Sequence, residues 1–215
     1  MVGKSPAVTE ATTPSRGHRK RARTREQLVD AGMAMLAANT LGDASILELA
    51  TAAGVSNGTF YNYFQTRDEL VEAVAFRVSE QIAGQLREEF TGVDDPAARV
   101  VIAARTFMRR ALQEPVFGWA LLRLMGSMPT ISEAIRQSVL LDIREGIEKG
   151  RFRVSSEAAA LDLVLGTLML GIRSLLEQRE SVQHVAAIGE ISLVGLGMPL
   201  DEARAVVSRL IAVTG

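Results

Sequence analysis

The sequence predicts an all-α protein of nine to ten helices, and three observations carry this prediction. Apolar residues recur at spacings of three and four along most of the chain after residue 24. Ser, Thr, Asp or Pro stands where several of these segments begin, and Gly follows several of them, as is usual at helix ends. No segment shows the strict alternation of apolar and polar residues that is typical of a half-buried strand.

The composition favours a globular protein that needs no covalent crosslinks. A chain of 215 residues with 47% hydrophobic residues is long enough to bury a substantial core. The absence of Cys excludes disulfides, thiolate metal sites and Cys nucleophiles. The first residues lack the apolar segment of a secretory signal, and the apolar stretch at 158–172 is interrupted by Asp162 and is short for a membrane span. We therefore expect a soluble, cytoplasmic protein with no membrane partner.

The net charge of −1 hides an uneven distribution along the chain. Residues 1–25 carry seven Lys or Arg and one Glu, which leaves the remainder with a net charge of −7. A basic end on an acidic body suggests contact with a polyanion, although a solvated tail gives the same pattern. The Pro-, Ser- and Thr-rich residues 1–15 are predicted to be disordered. Residues 16–23 are predicted to be a flexible basic arm that contacts phosphates or the minor groove, with these candidate residues: Arg19, Arg21 and Arg23.

The most specific pattern is a pair of short helices within residues 45–64. Ser45 is placed to cap the first helix, and Gly54 suits the left-handed conformation in which helices often end. Ser56 is placed to cap a second helix of about two turns, ending near Tyr63. Almost every position of this second helix is polar or aromatic, which is unusual for a scaffold helix. A short polar helix after a tight turn is typical of helix-turn-helix DNA readers.

The segment GVSNGTFYNYFQTRDEL resembles the DNA-binding signature of TetR-type transcriptional regulators. The shared features are a Gly-Val-Ser turn, then Gly-Thr-apolar-Tyr, then Tyr-Phe. The resemblance is specific over residues 19–75 and only general beyond them. It implies a leader and basic arm at 1–18, a helix-turn-helix DNA-binding domain at 19–75, and a helical regulatory and dimerisation domain at 76–215. The alternative is a helix pair packed inside an unrelated protein.

The second helix of the pair offers side chains that can read base edges. The carboxamides of Asn57 and Asn62 can pair with the donor and acceptor of an adenine edge. Thr59 can bond to a base edge or touch a thymine methyl group. Gly58 weakens the helix but lets its backbone lie close to another surface. Because this helix contains no Lys or Arg, we expect A·T contacts to dominate base reading.

A second set of residues suits contacts with phosphates. Ser45 and Ser56 stand at helix N-termini, where hydroxyls and free N–H groups bind phosphate oxygens. Tyr61 and Tyr63 carry hydroxyls that can reach phosphates, a role that the family resemblance implies for Tyr61. Arg67 stands where the family usually has a phosphate-binding Lys. By their spacing, the neighbouring aromatic residues Phe60 and Phe64 are expected to point into the core.

The remaining periodic segments predict further helices along the rest of the chain. Thr24 is the predicted cap of the first helix, and Asp residues with Pro96 mark the start of the fifth. The predicted ranges, besides those of the short pair, are 25–39, 67–90, 97–112, 116–125, 131–149, 157–179, 182–196 and 201–213.

The family resemblance implies a small-molecule effector bound within the helical body. Rigid aromatic and flexible Met side chains suit an apolar pocket, although ordinary core packing explains the same residues. Arg173 is a candidate for orienting a polar or anionic group of the ligand. The candidate pocket residues besides Arg173 are Phe107, Phe117, Trp119, Leu122, Met125, Met128 and Met169.

The resemblance also implies a homodimer formed through the last long helices. Two apolar stripes at helical spacing are predicted to face the second chain. Asp162 and Arg173 lie eleven positions apart, about three turns, and we expect them to pair across the two-fold axis. The predicted interface residues besides Asp162 are Leu165, Leu168, Ile172, Leu176, Val185, Ile188 and Ser192.

These patterns together predict a dimeric repressor that a small, largely apolar effector releases from a palindromic operator. A transcriptional activator of the same fold would use the same parts. An enzyme is the competing class, but the chain has two His and no P-loop, GxGxxG or HExxH motif, so no catalytic residue, metal or cofactor is assigned. A helical adaptor protein would leave the basic segment and the polar short helix unexplained.

Overall fold

The computed structural model describes residues 16–127, 129–179 and 183–212. Within these residues the chain forms ten α-helices and no β-strand, which confirms the predicted all-α class. The helices in chain order are α1 (Arg16–Ala37), α2 (Ile46–Ala52), α3 (Asn57–Tyr61), α4 (Arg67–Glu89), α5 (Pro96–Gln113), α6 (Pro115–Ser127), α7 (Pro129–Glu148), α8 (Glu157–Leu176), α9 (Gln183–Gly195) and α10 (Leu200–Ala212).

Side-chain caps fix the start of five of these helices. In each case a side-chain oxygen accepts a hydrogen bond from a backbone N–H group two or three residues further on, which satisfies a donor of the first turn. Ser45 and Ser56 are the caps expected from the sequence, and Asp95 is one of the Asp residues expected at the start of α5. The capping residues are Ser45, Ser56, Thr66, Asp95 and Ser156.

The basic segment predicted to be a flexible arm is helical in the structure. Helix α1 begins at Arg16 and runs without interruption to Ala37. Thr24, the predicted cap, lies inside this helix, where its hydroxyl donates to the carbonyl of Lys20 at 3.2 Å. Arg, Lys and Ala are all strong helix formers, so the segment extends the helix that follows it. The leader predicted at 1–15 lies outside the described residues.

Helices α1, α2 and α3 pack with the first two turns of α4 around one apolar cluster. These elements, up to Val74, are referred to below as the head. Phe60 and Phe64 are both buried in this cluster, as expected from their spacing. The buried residues of the cluster are Leu28, Val29, Leu41, Ala44, Leu49, Ala50, Phe60, Phe64, Leu70 and Val74.

The rest of α4 and helices α5 to α10 form a second unit, referred to below as the body. Its apolar residues form two clusters, and α5 contributes to both: Phe107 and Met108 to one, Val100 and Val101 to the other. The first cluster also takes residues from α4, α6, α8 and α9, and the second from α7, α8, α9 and α10. Helix α5 therefore lies at the centre of the body.

Two helices join the head to the body. Helix α4 belongs to both units, because Val74 packs in the head whereas Val78 and Ile82 pack in the body. Helix α1 packs against α6, and its Met33 and Leu36 contact the body cluster. The position of the head is thus set by apolar contacts as well as by chain connection.

Helix α8 is long and apolar enough to cross a membrane when judged by length and composition alone. The expectation that the apolar stretch is too short is therefore wrong on length, because the helix extends to Leu176. Core helices of soluble proteins pass the same test, and much of α8 packs inside the fold. Its buried residues are Ala160, Leu161, Val164, Leu165, Leu168, Gly171, Ile172 and Leu175.

A group of ion pairs lies at the end of the body that is away from the head. The guanidinium of Arg151 donates to both carboxylate oxygens of Asp95 at 3.0 and 3.1 Å, and it lies 3.5 Å from Glu202. Burial acts to raise the pKa of Asp95, but the hydrogen bonds and charge of Arg151 and the N–H of Ala97 outweigh it and lower that pKa. Asp95 thus remains ionised while it caps α5.

The turn after α9 supplies a direct test of the fold. Gly197 has a φ of 85°, and a Cβ atom added there would lie 2.2 Å from the carbonyl oxygen of Arg153. We expect Gly197→Ala to lower the free energy of unfolding by roughly 2 kcal/mol, because both the left-handed backbone and the contact disfavour a side chain. Urea denaturation followed by circular dichroism measures the change.

The matched control is Gly84→Ala at a half-buried position of α4. A Cβ atom at residue 84 meets no other atom within 4 Å. Removing a helical glycine from such a site should raise the free energy of unfolding by about 0.5–1 kcal/mol. If Gly197→Ala and Gly84→Ala lowered the free energy of unfolding by similar amounts, the structure of the Gly197 turn would be contradicted.

Candidate functional site

The first helix of the short pair is fixed by a reciprocal cap. The Ser45 hydroxyl oxygen accepts the N–H of Glu48 at 3.2 Å, while the Glu48 carboxylate accepts the hydroxyl and the N–H of Ser45 at 2.7 Å each. These two hydrogen bonds lower the pKa of Glu48. The Ser45 hydroxyl, a predicted phosphate contact, is therefore already engaged in holding the start of α2.

A glycine turn sets the angle between α2 and α3. Gly54 has a φ of 67°, and its N–H donates to the carbonyl of Thr51 at 3.0 Å. The N–H of Val55 donates to the carbonyl of Ala50 at 2.9 Å, which closes the end of α2. The sequence prediction of a left-handed glycine at this point is confirmed.

Helix α3 presents one exposed face and one buried face. Phe60 has no exposed surface, whereas Asn57, Gly58 and Asn62 are exposed and Tyr61 is 45% exposed. A Cβ atom added at Gly58 would meet no atom within 4 Å, so the space above this turn is open. Four of the predicted DNA contacts therefore share one accessible surface.

The hydroxyls of Ser56 and Thr59 lie against each other. They are 2.8 Å apart, and the Ser56 oxygen also accepts the N–H of Thr59 at 3.1 Å. The α-helix ends at Tyr61 rather than near Tyr63, but turn hydrogen bonds continue through Asn62 to Phe64. Ser56 and Thr59, both predicted DNA contacts, thus lie together in the cap of α3.

The basic start of α1 lies beside the aromatic residues of the turn that follows α3. The guanidinium of Arg21 lies 5.9 Å from the ring centre of the half-buried Tyr63, and that of Arg25 lies 5.4 Å from Phe64. Arg23 is also exposed, whereas the side chain of Arg19 is outside the described residues. Arg25 was missed as a site residue because periodicity does not reveal which helix packs beside α3.

Arg67 lies at the edge of the same surface. Its guanidinium donates to the carbonyl of Gly42 and to Asp68, and its side chain is 39% exposed. Arg67 therefore links the start of α4 to the loop before α2. The exposed carboxamides of α3, flanked by guanidinium groups, form a surface suited to a polyanion with readable edges.

The predicted ligand residues divide between two cavities. The body cavity, of about 300 Å³, lies between helices α4, α5, α6, α7 and α8 and takes Phe107 and Met169 from the predicted set. Its lining is mainly apolar, with polar groups from α4 and α7. The lining residues are Ser79, Glu80, Ile82, Ala83, Leu86, Phe107, Leu121, Ile135, Ser138 and Met169.

The second cavity is a cleft of about 590 Å³ between the head and the body, referred to below as the junction cleft. Four of its residues belong to the predicted ligand set, namely Trp119, Leu122, Met169 and Arg173. The other lining residues are Leu36, Asn39, Gly42, Arg123, Gly126 and Leu170.

Two of the predicted ligand residues that the structure describes line neither cavity. Phe117 is fully buried in the body core, with the guanidinium of Arg110 3.7 Å from its ring centre. Met125 is partly buried and packs against both body clusters. For these two residues the ordinary core interpretation is correct. Met128 lies outside the described residues.

The predicted dimer residues occupy the inward faces of α8 and α9. Six of the eight are buried within the single chain, and Leu176 packs partly buried beside Gly118 of α6. Asp162 is exposed, but it pairs with Arg136 of the same chain at 3.0 Å, and Arg173 pairs with Glu177 at 2.9 Å. The six predicted interface residues that are buried within the single chain are Leu165, Leu168, Ile172, Val185, Ile188 and Ser192.

The physical reason for this error is that both faces of α8 are apolar. Periodicity locates a stripe but does not show whether it faces the core or the solvent. Leu170 of α8 and Ile191 and Val194 of α9 remain exposed, with 65%, 55% and 40% of their surface accessible. These outward residues were missed by the sequence analysis.

Two family models match the chain. The model of bacterial regulatory proteins of the tetR family matches residues 28–74, and that of the tetracyclin repressor-like C-terminal domain matches residues 95–209. The second match alone covers more than half of the chain. The chain belongs to the tetR family. The boundary between the two matches falls within α4 and the loop that follows it.

Curated relatives match about a third of this TetR-family protein. An uncharacterised HTH-type transcriptional regulator of Haemophilus influenzae is 38% identical over 65 residues, which are 30% of this chain and 35% of that protein. The HTH-type transcriptional regulator BetI of Yersinia pestis is 33% identical over 78 residues, which are 35% of this chain and 39% of BetI. The chain thus spans less than half the length of these relatives, which are transcriptional regulators rather than enzymes.

Solved structures match nearly the whole TetR-family chain. The structure of RolR with the ligand resorcinol has a TM-score of 0.66 at 27% identity, covering 89% of this chain and 96% of RolR. A TetR-family regulator from Marinobacter aquaeolei has a TM-score of 0.72 at 18% identity, covering 83% and 98%. The second likeness concerns the fold alone.

The cap of α2 provides a test of how this surface is held. Ser45→Ala removes the reciprocal hydrogen bonds with Glu48, so we expect the free energy of unfolding to fall by about 1 kcal/mol. Thr51→Ala is the control on the same helix, because it removes a hydroxyl that donates only to the carbonyl of Leu47 at 2.7 Å. Urea denaturation should show no loss for the control. Equal losses would mean that the cap does not hold α2.

Proposed function

We propose that this protein is a dimeric, ligand-responsive transcriptional repressor that binds operator DNA through α3 and the start of α1. The observation that carries this proposal is the exposed face of α3 beside the guanidinium groups of α1. Its opposite face is anchored by Phe60, which is completely buried. As a DNA-binding regulator, the protein would act in the cytoplasm.

Residues 19–75, which include nearly all of the head, serve as the DNA-binding domain in this proposal. Asn57 and Asn62 are exposed carboxamides that read base edges in the major groove. The Thr59 hydroxyl is hydrogen-bonded to the Ser56 hydroxyl, so Thr59 contributes to base contact only where DNA can reach that hydroxyl. Because no cation lies on α3, base reading favours A·T pairs.

Phosphate contacts come from the rim of the same surface. Tyr61 is partly exposed and projects a hydroxyl beside Asn62, while Arg21 and Arg23 extend from α1. Tyr63 acts mainly through its ring, which lies beside the guanidinium of Arg21. Ser45, Ser56 and Arg67 retain a positioning role, because each is held by contacts within the head.

Residues 76–215, which include nearly all of the body, serve as the regulatory and dimerisation domain. The exposed apolar residues Leu170, Ile191 and Val194 form the proposed dimer face on α8 and α9. Gly195 lets the two helices approach closely, since a Cβ atom there would lie 2.4 Å from the side chain of Leu163. Two heads held by such a face would match the half-sites of a palindromic operator.

The body cavity is the proposed effector site. Its volume of about 300 Å³ and its apolar lining, which includes Phe107, suit a small, largely apolar molecule. RolR, which is similar over most of this chain, was crystallised with resorcinol, a small aromatic ligand. The segment of α4 that lines the cavity, from Ser79 to Leu86, continues directly into the head.

Effector release then follows from differential binding to two arrangements of α4. An effector that fits the cavity better when α4 is shifted lowers operator affinity by its preference for that arrangement. The contacts of α1 with α6 supply the second connection through which the head responds.

The DNA-binding surface is tested with fluorescence anisotropy on DNA from upstream of the protein's own gene and on a scrambled duplex. Gly58→Ala adds a methyl group where the free protein has open space. We expect this variant to fold normally but to bind the native duplex at least about tenfold more weakly, because the backbone of α3 can no longer approach the groove. Asn57→Ala should also reduce the preference for the native duplex.

Gly84→Ala is the matched control, since it makes the same change on α4 at a site equally free of neighbours. It should bind both duplexes like the unmodified protein. Unchanged DNA binding by Gly58→Ala and Asn57→Ala together would show that α3 does not enter the groove.

The dimer face is tested by replacing one of its apolar residues with a charged residue. Ile191 is 55% exposed at the centre of the proposed face, so Ile191→Arg should yield a monomer in sedimentation equilibrium. Leu141→Arg is the control, because Leu141 is 64% exposed on α7. A dimer that survives Ile191→Arg, or is lost equally in both variants, would contradict this placement.

A further inference from the structure

The junction cleft differs from the body cavity in both its charge and its position. We propose that it is a second ligand site, which binds a small aromatic carboxylate between the head and the body. This inference goes beyond the effector site proposed above, because the two cavities share only Met169.

The cleft is walled by both units of the protein. Leu36 from the last turn of α1, Asn39 and Gly42 supply the head side. Asn39 has a φ of 62°, a conformation that Asn tolerates better than most residues, and it lies two residues after the end of α1. Trp119 of α6 and Arg173 of α8 stand on the body side.

The body side offers a flat aromatic surface next to positive charge. The guanidinium of Arg123 lies 5.9 Å from the ring centre of Trp119. Both residues line the cleft together with Arg173, and none of the described residues that line it is acidic. Glu177 pairs with Arg173 at 2.9 Å and with Arg179 at 2.9 Å, so its charge is shared between two cations.

These groups together fit an aromatic acid better than a neutral apolar molecule. A guanidinium group binds a carboxylate through charge-assisted hydrogen bonds, which are stronger than those to an amide. The indole of Trp119 and the side chains of Leu122 and Met169 supply apolar contacts for a ring. A volume of about 590 Å³ is ample for a one-ring ligand.

A ligand in this cleft would contact the head directly. Gly42 lies in the loop that leads to α2, and its carbonyl accepts a hydrogen bond from Arg67 at the start of α4. Bound carboxylate would therefore bridge the body to the segment that positions the helix pair. Such a ligand would act between the head and the body, whereas the proposed effector acts inside the body.

The site can be tested by intrinsic fluorescence, because Trp119 is the only Trp in the chain. The full-length protein, without DNA, is titrated with phenylacetate and separately with its neutral analogue phenylacetamide. We expect a saturable change in emission with phenylacetate and binding at least about tenfold weaker with phenylacetamide. Because the assay contains no DNA, its result is independent of the proposed operator binding.

Charge variants locate the binding site. Arg173→Gln removes an exposed guanidinium of the cleft and should weaken phenylacetate binding about tenfold. Arg123→Gln removes the half-buried guanidinium of the cleft and should have an effect in the same direction. Arg109→Gln is the matched control, because it removes an exposed guanidinium from α5, which does not line the cleft. No saturable response, equal binding of the amide, or equal weakening by Arg109→Gln would each overturn the proposal.

Discussion

The burial of Phe60 is the constraint on which the proposed DNA surface depends. A helix of five residues is too short to be stable alone in water, so α3 exists only because its apolar side chain enters the head cluster. The same burial turns Asn57 and Asn62 outward. Caps at Ser45 and Ser56 and the left-handed Gly54 then fix the angle of the helix, so specificity here rests on packing and backbone geometry.

Each of the two cavities is lined by one of the helices that connect the head to the body. Helix α4 lines the body cavity, and the end of α1 lines the junction cleft. One cavity is mainly apolar and the other carries two guanidinium groups, so the two would select chemically different ligands. A regulator with this arrangement could combine two chemical signals in one movement of the head.

Local signals in the sequence predicted the helix pair almost completely. Ser45, Gly54 and Ser56 act within a few residues of themselves, and the structure gives each of them the expected role. The start of α1 was missed because Arg- and Lys-rich residues lack an apolar stripe yet form helices readily. The faces of α8 and the split of the ligand residues between two cavities depend on which distant helices meet, and no local pattern encodes that.

The length of α4 gives it mechanical leverage. Its 23 residues span about 34 Å, with the body cavity beside one half and the head at its first turns. A tilt of about 5° about the far end would displace the first turn by about 3 Å, as the helix length implies. That distance approaches the rise of one base pair, so in the proposed dimer a shift of about 1 Å at the cavity wall would put the two heads out of register with their half-sites.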